Sequence, residues 1–171
     1  AINYCERRDA FAIALLAFWL RGQTALFPAD RGEHTFQTLC ADNPDLYSLS
    51  DSALPFENPV NIRIDPDAPQ SAVNREPALV GWSHLAAKVY TSGSTGKPSV
   101  NEKTWGMLVT GGKAIPKMLL LDELGKGNVV ATVPSQHMYG FEATIMNVLQ
   151  GGFRAHVDRP VYPADVARCL R

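Results

Sequence analysis

The stretch Tyr90-Thr91-Ser92-Gly93-Ser94-Thr95-Gly96-Lys97-Pro98 is the part of the sequence that most narrows the fold. Lys88-Val89-Tyr90 has the composition of a strand, and hydroxyl residues with two glycines follow it. Glycines permit positive φ angles and let neighbouring backbone N–H groups converge on one point. Lys97 adds a point charge suited to phosphate. The pattern predicts an anion-binding loop directly after a strand, with a solvated polar turn as the alternative.

Two familiar motifs come close to this stretch without matching it. A Walker loop ending at Lys97 requires glycine at Thr91 and a hydroxyl residue at Pro98. A nucleophile elbow centred on Ser94 requires glycine at Ser92. The loop is therefore not a P-loop, and it departs by one position from the serine-hydrolase pattern.

Predicted helices and strands alternate on both sides of the loop. The hydrophobic pattern and the turn residues predict helices at 9–21, 34–41, 104–123, 140–149 and from Pro163 onward, and strands at 24–27, 46–49, 88–90, 128–133 and 153–157. Asp9 is the predicted N-cap of the first helix, and Gly111-Gly112 and Pro116 are predicted to break or kink the third. The alternation predicts an α/β fold, with a mixed or largely parallel sheet flanked by helices.

The composition excludes several classes of protein. Of the 171 residues 46% are apolar and 19% charged, which does not suit a disordered or fibrous chain. The net charge of −1 offers no broad positive surface for nucleic acid or an anionic membrane. The longest apolar run, residues 10–20, is shorter than the ~20 residues of a membrane span. Three cysteines without a Cys-x-x-Cys pair favour a reducing cytoplasm.

The loop resembles the phosphate-binding signature of the adenylate-forming (AMP-binding) superfamily, which includes acyl-CoA synthetases, peptide-synthetase adenylation domains and luciferases. A second stretch, Val133-Pro134-Ser135-Gln136-His137-Met138-Tyr139-Gly140-Phe141, resembles the next signature of that family and lies downstream of the first. The resemblance implies part of the N-terminal domain of an adenylate-forming enzyme. It also implies ATP-dependent activation of a carboxylic acid, fatty or aryl, to an acyl-adenylate with release of pyrophosphate. Transfer to the thiol of CoA or of a carrier protein's phosphopantetheine then follows.

The resemblance also implies roles for individual residues. The residues expected to bind the ATP phosphates, with Mg²⁺ sharing the charge, are Thr91, Ser92, Gly93, Ser94, Thr95, Gly96 and Lys97. The residues expected at the acyl pocket are His137, Tyr139 and Gly140. The family commonly carries Lys-Gly after the proline, whereas Ser99 and Val100 stand there in this chain. Lys97 or Lys103 is a candidate to supply the missing charge.

The later signatures of the family are absent from these residues, and no Thr-Glu dipeptide occurs. We therefore expect 1–171 to be an incomplete N-terminal region of an AMP-binding domain that is inactive alone. It divides into a first α/β segment 1–54, a proline-rich extended connector 55–78 and a second α/β segment 79–171 with the phosphate loop. A truncated sheet would expose unpaired strand edges, so self-association is a further expectation.

Two other functions stay open on the sequence. One is a serine hydrolase that uses Ser94 with His137 and an acid such as Asp158. The other is a nucleotide-binding module without catalytic activity. A metal hydrolase is the weakest hypothesis, because the four histidines show no close ligand pairing such as His-x-x-x-His.

Overall fold

The computed structural model describes residues 1–68, 79–91, 99–121 and 127–170. Its main feature is a six-stranded sheet in the order β4-β3-β1-β2-β5-β6. The strands are β1 (Ile2–Asn3), β2 (Ala25–Phe27), β3 (Ser48–Ser50), β4 (Asn61–Arg63), β5 (Leu85–Thr91) and β6 (Ser99–Thr104). All neighbouring pairs are parallel except β5 with β6, which are antiparallel. The predicted mixed, largely parallel sheet is confirmed.

Helices cover both faces of this sheet. The helices are α1 (Arg8–Leu20), α2 (Glu33–Asp42), α3 (Trp105–Met118), α4 (Met138–Gly140), a π-helix (Phe141–Met146), α5 (Asn147–Gly151) and α6 (Pro163–Cys169). Phe11 and Phe18 of α1 belong to the same buried cluster as Phe141 of the π-helix, whereas Phe36 and Leu39 of α2 belong to a second cluster. In β2 the two clusters use alternate residues, Ala25 and Phe27 on one side and Leu26 on the other, which is how a sheet buried on both sides is built.

A second, two-stranded parallel sheet consists of β7 (Asn128–Val129) and β8 (Arg154–Ala155). Both strands are shorter than the sequence pattern predicts. The carbonyl groups of Ala131 and His156, just beyond the two strands, accept hydrogen bonds from the Arg8 side chain. These carbonyls are therefore satisfied by a side chain rather than by a longer β-ladder.

The N-terminus of α1 differs from its prediction. Its N-cap is Arg7, with extended backbone angles, and Asp9 lies inside the first turn. The Asp9 carboxylate accepts hydrogen bonds from the Ala10 backbone N–H and from the Arg7 guanidinium. The predicted cap is wrong because this carboxylate is occupied within the helix and by its neighbour.

Of the predicted break or kink in α3, the break is wrong, because the helix is continuous from Trp105 to Met118. The kink stays a prediction. Gly112 is buried, and a Cβ there would lie 3.1 Å from Met146, so this glycine allows α3 to approach the π-helix closely. Pro116 lies in the last turn, where its missing N–H removes a single helical hydrogen bond. The close approach to the π-helix explains Gly112, and the buried Pro116 is accommodated in the last turn without ending the helix before it.

Three strands lie where no strand is predicted, and the first of them is β1, Ile2–Asn3. β4 lies within the segment 55–78 that is predicted as an extended connector, and it pairs with β3. β6 follows the glycine-rich loop directly and pairs with β5 from Thr91↔Ser99 to Leu85↔Thr104. The six-stranded sheet therefore takes strands from all three predicted segments.

Candidate functional site

A cavity lies at the carboxyl ends of two neighbouring parallel strands, β2 and β5. Its volume is about 220 Å³. Its lining comes from the residues that end or follow β2, from the end of β5 and from the segment before α4: Phe27, Pro28, Ala29, Val89, Tyr90, Thr91, Gln136, His137 and Met138. Ligands of open α/β sheets bind in this position, outside the carboxyl ends of the strands.

The glycine-rich loop connects the two strands of an antiparallel hairpin at this cavity. Thr91 ends β5 and Ser99 begins β6, and their hydroxyl oxygens Oγ1 and Oγ are 2.7 Å apart in a hydrogen bond. Of the seven predicted phosphate-binding residues, Thr91 is described and is exposed beside the cavity. The other six, Ser92 to Lys97, lie outside the described residues. Both ends of the loop are thus fixed at the carboxyl edge of the sheet.

The segment before α4 brings His137 to the same cavity as Thr91. His137 is exposed and is the N-cap of α4; its backbone N–H donates to the carbonyl of Pro134 at 3.2 Å. The neighbouring Gln136 donates its Nε2 to the carbonyl of Cys5 at 2.7 Å, which attaches this segment to the residues following β1. The structure therefore places the two sequence signatures around one space.

The other two residues predicted for the acyl pocket have different positions. Tyr139 is 72% exposed and is not among the residues that line the cavity. Gly140 is buried below it, and a Cβ on this glycine would collide with the carbonyl oxygen of Pro134. Gly140 thus allows the turn that presents His137, and the predicted role of Tyr139 in binding stays a prediction.

The π-helix Phe141–Met146 follows this turn directly. Phe141 is fully buried, with its ring centroid 5.0 Å from that of Phe27 and 6.4 Å from that of Trp19. Phe27 also lines the cavity, so one aromatic cluster joins the wall of the site to α1. π-helical turns are rare and occur frequently at functional sites.

The polar character of the cavity fits an anionic group at its hairpin side. Among the described residues that line it, none is acidic. The paired hydroxyls of Thr91 and Ser99 stand at its edge, next to the loop that carries Lys97 in the sequence. Burial raises the pKa of Tyr90, so its phenol stays neutral at physiological pH. These features suit phosphate, which binds to hydroxyl and backbone donors and to lysine.

An arginine-rich cleft of about 340 Å³ lies along the same edge, beyond the carboxyl end of β1. The lining includes four arginines, namely Arg7, Arg8, Arg31 and Arg159, together with the segment Pro134 to Gln136. No motif in the sequence marks these arginines as site residues. A positional signal exists for Arg31 alone, which follows the predicted strand 24–27 within a few residues, where the carboxyl edge of a parallel sheet lies. Arg7 and Arg8 follow β1, which the sequence pattern does not predict.

The side-chain arrangement expected of a serine hydrolase is not formed in the described residues. No hydrogen bond or ion pair joins His137 to Asp158 there; the carbonyl of Asp158 instead accepts from Arg8 at 2.7 Å. Within the same described ranges, no group of three or more His, Cys, Asp or Glu residues is arranged to hold a metal ion. No helix in this part of the chain combines the length and apolar composition needed to span a bilayer.

Comparison with solved structures identifies the fold. O-succinylbenzoate coenzyme A synthetase (MenE) from Bacillus subtilis, in complex with ATP and magnesium ion, matches with a TM-score of 0.72 and 22% identity. The match covers 99% of this chain and 46% of that one. A malonyl-CoA ligase with methylmalonyl-CoA and AMP bound matches with a TM-score of 0.71 and 23% identity, over 99% of this chain and 37% of that one.

The N-terminal subdomain of NpsA from Klebsiella oxytoca, in complex with 3-hydroxybenzoyl-AMSN, is also similar. Its TM-score is 0.69 at 18% identity, with 99% of this chain and 43% of that one covered. No protein family and no curated protein matched the sequence. The chain therefore has the fold of the N-terminal portion of adenylate-forming enzymes, as its sequence signatures predict. It spans less than half the length of these structures.

Proposed function

We propose that the chain forms the N-terminal portion of an enzyme that activates a carboxylic acid, fatty or aryl, with ATP. The carboxylate attacks the α-phosphate, pyrophosphate leaves, and the acyl-adenylate then passes its acyl group to the thiol of CoA or of a carrier protein. The observation that carries the proposal is the single cavity shared by Thr91 and His137, which joins the phosphate signature to the second signature. Its position on the fold of adenylate-forming enzymes supports the same reaction.

In this proposal the hairpin loop holds the phosphates. Thr91, Ser92, Gly93, Ser94, Thr95, Gly96 and Lys97 donate hydrogen bonds and charge to the pyrophosphate portion of ATP, with Mg²⁺ sharing the negative charge. The contribution of the loop is orientation and charge neutralisation, which lower the barrier without a covalent intermediate on the protein. The hydrogen bond between Thr91 and Ser99 joins the two strands at the point where these residues leave and rejoin the sheet.

The acyl side of the site is proposed to lie against His137, Tyr139 and Gly140. His137 is exposed at the cavity, and Phe27 and Met138 provide apolar contact area nearby. An imidazole beside an apolar wall suits a carboxylic acid whose polar end faces the phosphates. Catalysis by the whole enzyme is proposed to require residues beyond these 171, so the chain alone is expected to be inactive. We also propose a cytoplasmic location and self-association of the isolated chain.

The test is ATP–pyrophosphate exchange by the full-length protein with a panel of fatty and aryl acids. Lys97→Ala and Ser94→Ala should each reduce the exchange by about a hundredfold, the size of effect seen when one donor to a developing charge is removed. Lys113→Ala and Ser83→Ala are matched controls, because both residues are exposed and distant from the loop in sequence. Exchange that is unaffected by both loop variants would refute the phosphate-binding role.

The same protein should be treated with a fluorophosphonate to test the hydrolase hypothesis. The adenylation proposal expects no covalent label on Ser94, whereas a serine nucleophile would be labelled. Nucleotide binding by the full-length protein without exchange for any acid would instead favour the module without catalytic activity.

A further inference from the structure

Arg8 is the most extensively hydrogen-bonded side chain among the described residues, and its partners lie around the candidate site. It is the first residue of α1 and is only 2% exposed. We propose that Arg8 is a positioning residue that holds the segment 131–137, and with it His137, in place through its guanidinium. The role of His137 rests on the proposed function, whereas the contacts of Arg8 do not.

The guanidinium donates to four backbone carbonyls from two different loops. Nη2 donates to the carbonyl oxygen of Ala131 at 2.6 Å and to that of Val133 at 3.2 Å. Nη1 donates to the carbonyl of Asp158 at 2.7 Å and to that of His156 at 3.1 Å. The two loops follow β7 and β8, so one side chain joins both strands of the small sheet to the start of α1.

The charge of this side chain has no carboxylate partner among the described residues. The buried guanidinium is surrounded instead by the dipoles of four backbone carbonyls, and its Nε has no acceptor among the described residues. A buried guanidinium of this kind is costly unless its donors are satisfied. An apolar side chain of similar size would avoid the cost of desolvating the charge, so Arg8 is poorly explained by stability alone. Its contacts are better explained by the need to hold the backbone of two loops in one geometry.

The connection from Arg8 to the site is short. Val133, which Arg8 contacts, is followed by Pro134, whose carbonyl accepts the backbone N–H of His137. Gln136 provides the second attachment of this segment, at the carbonyl of Cys5. The segment has no regular secondary structure before α4, so these side-chain contacts set the position of His137.

Only arginine can make this set of contacts. Its planar fork presents donors in two directions at once, whereas lysine presents one ammonium on a flexible stem. Arg8→Lys therefore keeps the charge and loses most of the contacts. Arg8→Met keeps the approximate size and removes both. The backbone N–H of residue 8, which donates to the carbonyl of Val157, is retained in both variants.

The test is hydrogen exchange of the full-length protein, followed by mass spectrometry of peptides covering 131–137. In both Arg8 variants the hydrogen-exchange rate of these amides should rise about tenfold or more over wild type. This increase is expected when charged hydrogen bonds that hold a local structure together are lost. Arg31→Lys is the matched control, since Arg31 lines the same cleft but donates to the carbonyl of Tyr4. It should leave the exchange of 131–137 unchanged.

Kinetics distinguish positioning from a general structural role. If His137 is displaced, KM for the acid should rise about tenfold or more while KM for ATP changes little, because the four carbonyls that Arg8 contacts belong to residues 131, 133, 156 and 158 rather than to β5 or β6. If the wild-type protein showed no ATP–pyrophosphate exchange with any acid, the proposed function would be refuted. The hydrogen-exchange result for Arg8 would still stand. The two failures are therefore separable.

Two results would overturn the inference. One is exchange of 131–137 at the wild-type rate in both Arg8 variants. The other is an equal increase in 131–137 and in α2, since that would indicate loss of global stability alone. If neither variant folds, NMR of the wild-type protein decides: the Hη protons of Arg8 should be individually resolved and protected, and averaged, rapidly exchanging signals would refute the contacts.

Discussion

The carbonyl oxygen of Pro134 occupies the space that a side chain at Gly140 would need. The turn between these two residues carries His137 at its outer side and leads into the π-helix. Any side chain at Gly140 must push against backbone, which cannot rotate away as a flexible side chain would. The glycine is therefore required by the close approach of two chain segments.

Gly140→Ala should destabilise the protein by about 3 kcal/mol or more, because the added methyl forces the backbone of the turn apart. The measurement is the free energy of unfolding from urea denaturation. Gly111→Ala is the matched control: this glycine lies inside α3 with no atom within 4 Å of an added Cβ. It should stabilise the protein by about 0.5–1 kcal/mol through helix propensity. Equal effects of the two substitutions would contradict the contact with Pro134.

Phe141→Ala should cost about 3–5 kcal/mol, because it removes a fully buried ring from the centre of the aromatic cluster. Tyr139→Ala, two residues earlier and 72% exposed, should change stability by less than about 0.5 kcal/mol. Thermal and urea denaturation of both variants test this contrast. If Phe141→Ala left the free energy of unfolding unchanged, packing of Phe141 against Phe27 and Trp19 would not be what holds the cavity wall.

Asp9→Asn should lower the melting temperature at neutral pH and have no effect in acid. The hydrogen bond from Arg7 holds the pKa of Asp9 below the ordinary value of 3.8. A carboxyl whose pKa is lowered in the folded state stabilises the protein at pH values above its ordinary, unfolded-state pKa. This contribution is lost as the pH falls through the pKa of the folded state. Because the pair is partly exposed, the expected difference at pH 7 is only about 1–4 °C.

The measurement for Asp9 is a series of melting curves from pH 7 to below about pH 3, where the wild-type and variant values should converge. Asp45→Asn is the control, because Asp45 is exposed and makes no hydrogen bond among the described residues. A difference between wild type and Asp9→Asn that persists at the lowest pH would show that the carboxylate is not its source.

The three thiols should differ in their reactivity toward iodoacetamide. Cys5 is fully buried, and burial raises its pKa to about 12. Cys40 and Cys169 are half-buried. At pH 8 the native protein should be alkylated at Cys40 and Cys169, with Cys5 slower by about a hundredfold or more because only the thiolate reacts. Peptide mass spectrometry reads out the sites, and unfolding in guanidinium should abolish the difference. Early alkylation of Cys5 would contradict its burial.

The sequence predicts those parts of the fold whose patterns are local. The periodic apolar residues of α1 and the composition of the loop after β5 suffice for the helix, the strand and the class of fold. The sequence pattern does not predict β6, because this edge strand reads Ser-Val-Asn-Glu-Lys-Thr and is mostly exposed, and such a strand carries no hydrophobic alternation. The low helix propensity of glycine likewise predicts a break at Gly112, whereas the close contact between α3 and the π-helix keeps the helix continuous there.

The candidate site follows the same division. Signatures in the sequence pointed to Thr91 and His137, which line one cavity. The contacts of Arg8 span more than 120 positions of the chain, and no local pattern marks carbonyl groups as acceptors for a distant side chain. Residues that position others across a fold leave little trace in a single sequence, because their partners are backbone atoms common to every residue.

β5 and β6 are adjacent strands of one antiparallel ladder, so the chain leaves the sheet after Thr91 and returns to the neighbouring position at Ser99. A chain that leaves a sheet and returns to the adjacent position of the same ladder transmits no change in its length to the helices or to the other strands. If the proposed function holds, nucleotide affinity should respond to exchange of this insert and acid preference to exchange of the Pro134–Gly140 turn, each without the other.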